Sequence, residues 1–265
     1  MSLSIDKTHP TILMKGICKR FPGVVANQEI DLRILKGEIH SLLGENSAAK
    51  TTLMNLLSGV YQPDAGEIFV NGKQVSFRSP KDALDHGIGM IHQHFQLVNN
   101  FTVAENIVLG MPGPVRFDVA AIEKTVSGLS SRYGLSIDSR ARIWELSVGE
   151  QQRVEILRML YRNVDVLIMD EPTAVLSPQE IERLFMSMRR IRDEGRSIIF
   201  ITHKLEEVLA VSDYITVLRR GKVMSTVRPE KLKGKDGSVS RELARMMVGR
   251  EVILEVGKDP CRTKG

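Results

Sequence analysis

Residues 39–57 read IHSLLGENSAAKTTLMNLL, and this stretch predicts a strand, a loop and a helix in direct succession. The apolar run 39–43 is typical of a buried strand, and 50–57 has the pattern of a helix that ends at Gly59. Between them lies a loop of small and polar residues. Backbone N–H groups of such a loop, together with the helix N-terminus that follows, are able to wrap a polyphosphate. The stretch therefore indicates a phosphate-binding loop in an α/β fold.

The loop departs at one position from the phosphate-loop pattern G-x-x-x-x-G-K-[ST]. Gly44, Lys50 and Thr51 match the pattern, whereas Ala49 occupies the place of the second glycine. In a phosphate loop the lysine contacts the β- and γ-phosphates and the hydroxyl binds Mg²⁺. An ordinary turn between a strand and a helix explains this segment about as well when it is taken alone.

Two further segments carry residues suited to phosphate chemistry. Residues 164–171, VDVLIMDE, form an apolar strand that ends in adjacent carboxylates pointing in different directions. Asp170 would hold Mg²⁺, and Glu171 would polarise a water for in-line attack on a γ-phosphate. Two solvated acids after a buried strand are the alternative. Residues 146–150, LSVGE, precede a helical pattern and supply another helix N-terminus able to bind phosphate.

Short apolar runs alternate with helical patterns along the chain, which predicts a mainly parallel sheet covered by helices. Further predicted features are hairpins at 66–76 and 214–227, a capping box of Thr102 with Glu105, helices at 119–133, 150–163 and 239–248, strands at 164–169 and 197–202, and a helix beginning at Pro178. After Gly249 the sequence becomes polar and rich in turn residues, as in a linker.

Composition excludes several classes of protein. The longest apolar runs in the 265 residues are far shorter than the ~20 needed to cross a bilayer, and the start lacks a secretory signal pattern. Cys18 and Cys261 have no metal-ligand spacing, which favours a reducing compartment. Charges of both signs are mixed throughout, so the net charge of +5 does not indicate a nucleic-acid partner. We expect a protein that meets membranes only through a partner.

In this order the motifs resemble those of the ABC ATPase family, over nearly all of residues 11–250, with the family signature LSGGQ present as LSVGE. The resemblance implies an α/β P-loop NTPase core of the ABC type with an antiparallel β subdomain and a helical subdomain. It places the ATPase domain at 1–238, with the helical subdomain inserted at about 95–162. A C-terminal helix and linker at 239–265 would lead to a second ATPase half.

The same resemblance assigns roles to individual residues, with ATP and Mg²⁺ as cofactors. Phe21 would stack on adenine, and the metal would be held by Thr51, Gln93 and Asp170. The expected catalytic residues are Glu171, His203 and Gln93. The expected nucleotide contacts are Gly44, Glu45, Asn46, Ser47, Ala48, Ala49, Lys50, Thr51 and Thr52 in the loop, with Ser147 and Gly149 reaching the nucleotide of a partner domain. His92 and His94 receive no role.

Three segments resemble the first half of tandem ATPases in sugar and nucleoside importers: 92–110, 146–162 and 170–180. The resemblance implies an ATP-hydrolysing subunit on the cytoplasmic face of a cell membrane, peripheral and bound to an integral-membrane permease. It also implies a second ATPase half or a homodimer partner, and an extracytoplasmic solute-binding protein as an indirect partner. The sequence does not identify the solute.

Two alternatives stay open. Ser47 and Ala49 stand where the family carries glycines with positive φ, and a non-glycine residue forced into that conformation costs about 1–3 kcal/mol. A degenerate regulatory half with little hydrolysis would explain both residues. Ser177, where many members carry aspartate, points to altered communication between two sites. The other alternative is a soluble ABC ATPase that acts on DNA or ribosomes. The sequence offers no coiled-coil insertion and no basic stripe to support it.

Overall fold

The computed structural model describes residues 10–44, 47–111, 118–232 and 238–248. In chain order the strands are β1 Pro10–Phe21, β2 Val24–Leu35, β3 Ile39–Leu43, β4 Ala65–Val70, β5 Lys73–Val75, β6 Ile88–Ile91, β7 Val166–Asp170, β8 Ser197–Thr202, β9 Tyr214–Arg219 and β10 Lys222–Val227. The helices are α1 Ser47–Leu57, α2 Pro80–Asp85, α3 Val103–Val108, α4 Val119–Tyr133, α5 Val148–Tyr161, α6 Pro178–Asp193, α7 Leu205–Val211 and α8 Ser238–Val248.

The strands form two sheets. The smaller sheet has the order β2-β1-β4-β5 and is antiparallel throughout. The larger sheet has the order β10-β9-β3-β8-β7-β6, in which every pairing except that of β9 with β10 is parallel. Parallel strands need crossover connections, and helices supply them here. The predicted α/β class is confirmed.

Strands of the larger sheet are buried on both faces. In β7, Leu167 and Met169 join the apolar cluster of α3, α4, α5 and α6, whereas Val166 and Ile168 join the cluster formed with α1 and the antiparallel sheet. Because successive side chains point to opposite faces, a strand covered on both sides shows a continuous apolar run in sequence. That run is the signal by which the sequence predicts β3, β7 and β8.

Most predicted elements are confirmed. In the first hairpin, Asn71 and Gly72 have φ values of 49° and 78°, as a two-residue turn between antiparallel strands requires. The capping box of Thr102 with Glu105 is present. Three predicted segments have wrong boundaries: the helix after the loop begins at Ser47 rather than at 50, the 164–169 strand lies at Val166–Asp170, and the 150–163 helix lies at Val148–Tyr161. The first turn of α1 begins with Ser47, Ala48 and Ala49, which include no large apolar side chain. The sequence therefore shows no helical periodicity there and does not indicate where this helix begins.

Five elements are not predicted from the sequence: β1, β2, β6, α2 and α7. The pairing of β1 with β2 shifts register at four places, and each shift interrupts the alternation by which a strand is recognised. The other three elements span only four to seven residues. Within the described ranges no helix is long and apolar enough to cross a membrane.

In chain order α3, α4 and α5 all lie between β6 and β7. The predicted domain boundaries, 1–238 with an insertion at about 95–162 and then 239–265, stay predictions. The predicted helix at 239–248 is present as α8, whereas 249–265 lies outside the described residues.

Candidate functional site

The candidate site lies along one edge of the larger sheet. Strands β3, β8, β7 and β6 are parallel neighbours, so their carboxyl ends meet at the same edge, which is where α/β sheets usually bind ligands. Gly44 follows β3, Gln93 comes two residues after β6, Asp170 ends β7, and His203 follows β8. Four segments far apart in sequence therefore contribute to one site.

Lys50 is fully buried at the first turns of α1. Its Nζ atom donates a hydrogen bond to the carbonyl oxygen of Gly44 at 2.5 Å, across the loop. Burial lowers the pKa of the Lys50 ammonium, and the charges of Glu171 and Asp170 act in the opposite direction. The Lys50 ammonium hydrogen-bonds a neutral carbonyl group, so it is available to bind an incoming anion. Glu45 and Asn46 lie outside the described residues.

Gly44 is required for packing. A Cβ atom at this position would lie 2.4 Å from the carbonyl oxygen of Leu218 in β9, a separation that real Cβ atoms essentially never show. At the other end of the loop, Asn27 in β2 donates from Nδ2 to the carbonyl oxygen of Ala49 at 3.0 Å. Both sheets therefore hold the loop.

Ala49 does not have the strained conformation that the sequence predicts. It lies inside α1, is 6% exposed, and is absent from the non-glycine residues of positive φ found in the described ranges. Helical backbone is accessible to any L-residue. The expected strain is therefore wrong at Ala49, and its place in a helix rather than a left-handed turn is the reason. The backbone of α1 begins at Ser47.

Thr51 and Asp170 meet directly, 119 positions apart in the chain. The Thr51 hydroxyl donates to Oδ2 of Asp170 at 2.9 Å. Oδ1 of Asp170 is buried and has no hydrogen-bond partner among the described residues. Burial raises the pKa of Asp170, against smaller effects of the Thr51 hydroxyl and of the His92 and Lys50 charges. A hydroxyl and a carboxylate with an unused oxygen suit Mg²⁺, which prefers few protein oxygen ligands.

Gln93 is the third expected metal ligand, and the structure does not join it to the other two. Its exposed side chain makes no hydrogen bond to Thr51 or Asp170 within the described part of the chain. Ile91 at the end of β6 pairs with Met169 in β7, so Gln93 follows β6 at the same edge of the sheet as Asp170. His92, given no role from sequence, is near enough for its charge to lower the pKa of Asp170.

Glu171 and His203 form a second pair beside the first. Oε1 of Glu171 lies 3.2 Å from Nδ1 of His203, and the Glu171 side chain is 10% exposed against 50% for His203. Glu171 has a φ of 45°, unusual for a residue with a side chain, and its N–H donates to the carbonyl oxygen of Ile201. Strained backbone of this kind clusters at functional sites. Asp170 and Glu171 point to different partners, as predicted.

Three further residues expected to contact the nucleotide are Ala48, Thr52 and Phe21. Thr52 is buried, and Ala48 is exposed. Phe21 ends β1, where its half-buried ring meets the Tyr61 ring edge-on at 5.5 Å between centroids. Lys19 lies over the same Phe21 ring at 5.7 Å.

The signature residues lie at the N-terminus of α5. Ser147 caps this helix and is exposed, with its Oγ accepting from the N–H of Glu150 and the Glu150 carboxylate accepting from the N–H of Ser147. Gly149 is buried: a Cβ atom there would lie 2.2 Å from Oε1 of Glu180 in α6. Ser147 is thus accessible to a partner, whereas Gly149 packs against α6.

Comparison with known proteins gives consistent matches. A family model described as ABC transporter matches residues 27–174. The chain is 50% identical to the glucose import ATP-binding protein TsgD13 of Haloferax volcanii, over 94% of this chain and 50% of that protein. It is 52% identical to the nucleoside import ATP-binding protein NupA of Lactococcus lactis, over 96% of this chain and 49% of that protein. The chain spans about half the length of these curated relatives.

Solved structures show the same fold at lower identity. A nucleotide-free ATP-binding cassette from an ABC transporter superposes with a TM-score of 0.77 at 23% identity, covering 91% of this chain and all of that one. An ATP-binding cassette in its ADP conformation gives a TM-score of 0.75 at 24% identity, covering 89% of this chain and 99% of that one.

Proposed function

Because this chain belongs to the ABC transporter family of ATP-binding proteins, we propose that it binds Mg-ATP and hydrolyses it to power the import of a simple sugar or nucleoside through a membrane permease. The observation that carries this proposal is the meeting of Thr51 with Asp170 beside the buried Lys50. A cation, a hydroxyl and a carboxylate with an unused oxygen are the set that a Mg-nucleotide needs. The Glu171–His203 pair lies next to them.

The residues of the site have separable tasks. Lys50 exchanges the Gly44 carbonyl for phosphate oxygens, which satisfy a buried ammonium better because they carry charge. Thr51 and Asp170 would hold Mg²⁺, which when bound neutralises charge on the phosphates. Glu171 orients and polarises the attacking water, while His203 holds the Glu171 carboxylate by the contact at 3.2 Å. Phe21 offers an aromatic face to adenine.

The proposed partners follow from the relatives and from one groove. The relatives are named for import of glucose and nucleosides, and a further one, at 47% identity, for import of ribose, in Rubrobacter xylanophilus. A largely apolar groove of about 510 Å³ runs past β6, and His92, Met159 and Arg162 are among its lining residues. His92, which lines the groove, directly precedes Gln93 in the chain. A permease helix in this groove would sense the state of Gln93, and a second ATPase half would complete the assembly on the cytoplasmic face of the membrane.

Glu171→Gln tests the proposed reaction. The variant keeps the size and hydrogen bonding of the side chain but removes the proposed base, so Mg-ATP should bind with nearly unchanged affinity while turnover falls at least about 100-fold. Turnover is measured with the chain at high concentration and together with a separately expressed second half. Glu182→Gln, an exposed position on α6, is the matched control. Hydrolysis by Glu171→Gln at the wild-type rate would reject Glu171 as the base.

A degenerate regulatory half is the second candidate function, favoured by Ser47 and Ala49 in place of two glycines. Since Ala49 is helical, removing its methyl group releases no backbone strain. We expect Ala49→Gly to leave the dissociation constant of Mg-ATP within about twofold, which is under 0.5 kcal/mol. The weakened Mg-ATP binding that the sequence predicts would then come from Ser47 alone. Calorimetry on Ser47→Gly measures that contribution to the dissociation constant. A tenfold gain from Ala49→Gly would favour the degenerate half.

A further inference from the structure

Glu207 is a buried carboxylate to which the proposed reaction gives no task. It lies on α7 and is 7% exposed. Its Oε2 atom accepts hydrogen bonds from the hydroxyls of Thr173 at 2.8 Å and Thr202 at 2.9 Å. Its Oε1 atom lies 3.0 Å from Nζ of Lys204. These partners lie in, or directly beside, two separate loops, one after β7 and one after β8.

The two loops are those that carry the proposed catalytic pair. Thr202 and Lys204 flank His203 on either side, and Thr173 lies two residues after Glu171. Lys204 also donates from Nζ to the carbonyl oxygen of Thr173 at 3.3 Å. The two loops are therefore linked twice. One link is Glu207, which accepts from Thr173 and Thr202, and the other is the hydrogen bond from Lys204 to Thr173.

The proposed reaction requires Glu171 and His203 to be held in fixed positions. The backbone of Glu171 has a φ of 45°, a conformation that persists only where the surroundings hold it. The Glu171–His203 contact at 3.2 Å involves a histidine whose side chain is 50% exposed, so that contact alone holds the ring loosely. A displacement of about 1 Å at a reacting group can reduce a rate about 100-fold. Holding both loops from one buried point would prevent that displacement.

Packing of α7 does not require a carboxylate. Val208 and Val211 on the same helix are buried among apolar residues, so a further apolar side chain would serve packing equally. Burying a charge without partners is strongly unfavourable. Its hydrogen-bond donors Thr173 and Thr202 and its ion-pair partner Lys204 all come from the two catalytic loops or their borders. We propose that Glu207 is a positioning residue that sets the geometry of Glu171 and His203; this inference rests on the proposed hydrolysis.

Glu207→Gln is the direct test. The amide oxygen keeps accepting from both threonines, while the amide nitrogen replaces the oxygen that pairs with Lys204. We expect turnover to fall about 10- to 100-fold while the dissociation constant of Mg-ATP stays within about twofold. Thr173→Val, which removes the link to the Glu171 loop at nearly equal volume, should give the same split. Glu206→Gln, an exposed neighbour on α7, is the matched control and should leave both quantities unchanged.

Two results would overturn the inference. One is turnover within twofold of wild type in both Glu207→Gln and Thr173→Val. The other is a joint loss of binding, turnover and thermal stability, which marks a merely structural role. Failure of the proposed function looks different, since wild-type turnover would then not exceed that of Glu171→Gln. In that case amide hydrogen exchange at 172–176 and 203–205 decides: faster exchange in Glu207→Gln but not in Glu206→Gln supports the restraint, and unchanged exchange rejects it.

Discussion

At the scale of the residue, the candidate site combines buried charges that burial drives towards their neutral forms. The pKa of Lys50 is lowered and that of Asp170 is raised, and burial is the largest cause of both shifts. Each group faces the other's charge, yet this attraction does not outweigh the loss of hydration. The unliganded site is therefore unfavourable for stability, and a bound Mg-nucleotide would supply the missing charges. Residues that serve binding here reduce the stability of the empty protein.

Asp170→Asn should consequently stabilise the chain in the absence of nucleotide and metal. The pKa of Asp170 is higher in the folded than in the unfolded chain, so the folded chain binds more protons between these two values. This contribution to stability is therefore lost as pH rises through that range. The stabilisation by Asp170→Asn should accordingly be small near pH 4 and larger near pH 8. Thermal unfolding at both values measures it, with Asp193→Asn on the exposed end of α6 as control. A difference that shrinks with rising pH would contradict the burial argument.

At the scale of the element, the N-termini of α5 and α6 form one joined unit. Both helices start with a Ser-x-x-Glu capping box, Ser147 with Glu150 and Ser177 with Glu180. Hydrogen bonds from these serines lower the pKa of both glutamates. Gly149 in the first turn of α5 lies against the Glu180 carboxylate. The signature at the start of α5 is therefore in contact with the start of α6, the helix that follows the loop after Glu171.

Gly149→Ala should break this connection. The added methyl group would lie 2.2 Å from Oε1 and 2.8 Å from Cδ of Glu180, so the carboxylate must shift, and we expect this shift to weaken the hydrogen bonds of its Oε2 to Ser177 in the α6 capping box. Loss of a cap costs about 1 kcal/mol, or roughly 2–4 °C in melting temperature for a domain of this size. Gly128→Ala in α4 is the matched control: no atom lies within 4 Å of the new Cβ, so helix propensity should raise stability instead. Equal melting temperatures for the two variants would contradict the role assigned to Gly149.

At the scale of the whole molecule, the chain carries one part of each of two proposed sites. Its phosphate loop and the Asp170–Glu171 strand end face one nucleotide, while Ser147 lies exposed on α5 for a partner's nucleotide. The relatives are about twice as long as this chain, and tandem halves would supply the complementary parts. We therefore expect the chain alone to be a poor ATPase.

Lys50→Ala and Ser147→Arg should fail in different ways. In an assembly with a second half, Lys50→Ala removes the cation of this chain's own loop and should deplete nucleotide there. Ser147→Arg places a large charge at an exposed helix cap and should block closure over the partner's nucleotide. Turnover is measured for the chain alone and for the assembly, with nucleotide occupancy followed at each site. Full activity from the isolated monomer, with Ser147→Arg harmless in the assembly, would refute the shared-site mechanism.

Features contained within one element could be read from the sequence alone. The succession of strand, loop and helix at 39–57, the buried strand before Asp170 and Glu171, and the start of α6 at Pro178 all depend on neighbours a few positions apart. Hydrophobic periodicity and capping act over that distance, so the sequence predicts the type and order of these elements, with errors only at their boundaries. The family resemblance then supplied the expected chemistry of each segment, but not its contacts.

Contacts between elements were decided only by the tertiary structure. Thr51 meets Asp170, Gly44 needs the space beside Leu218, and Glu207 accepts a hydrogen bond from Thr173, all across long separations in sequence. Local patterns do not state which strands become neighbours, because sheet order follows from the packing of the whole chain. For the same reason the sequence predicted strain at Ala49, where the folded chain extends helix α1 instead.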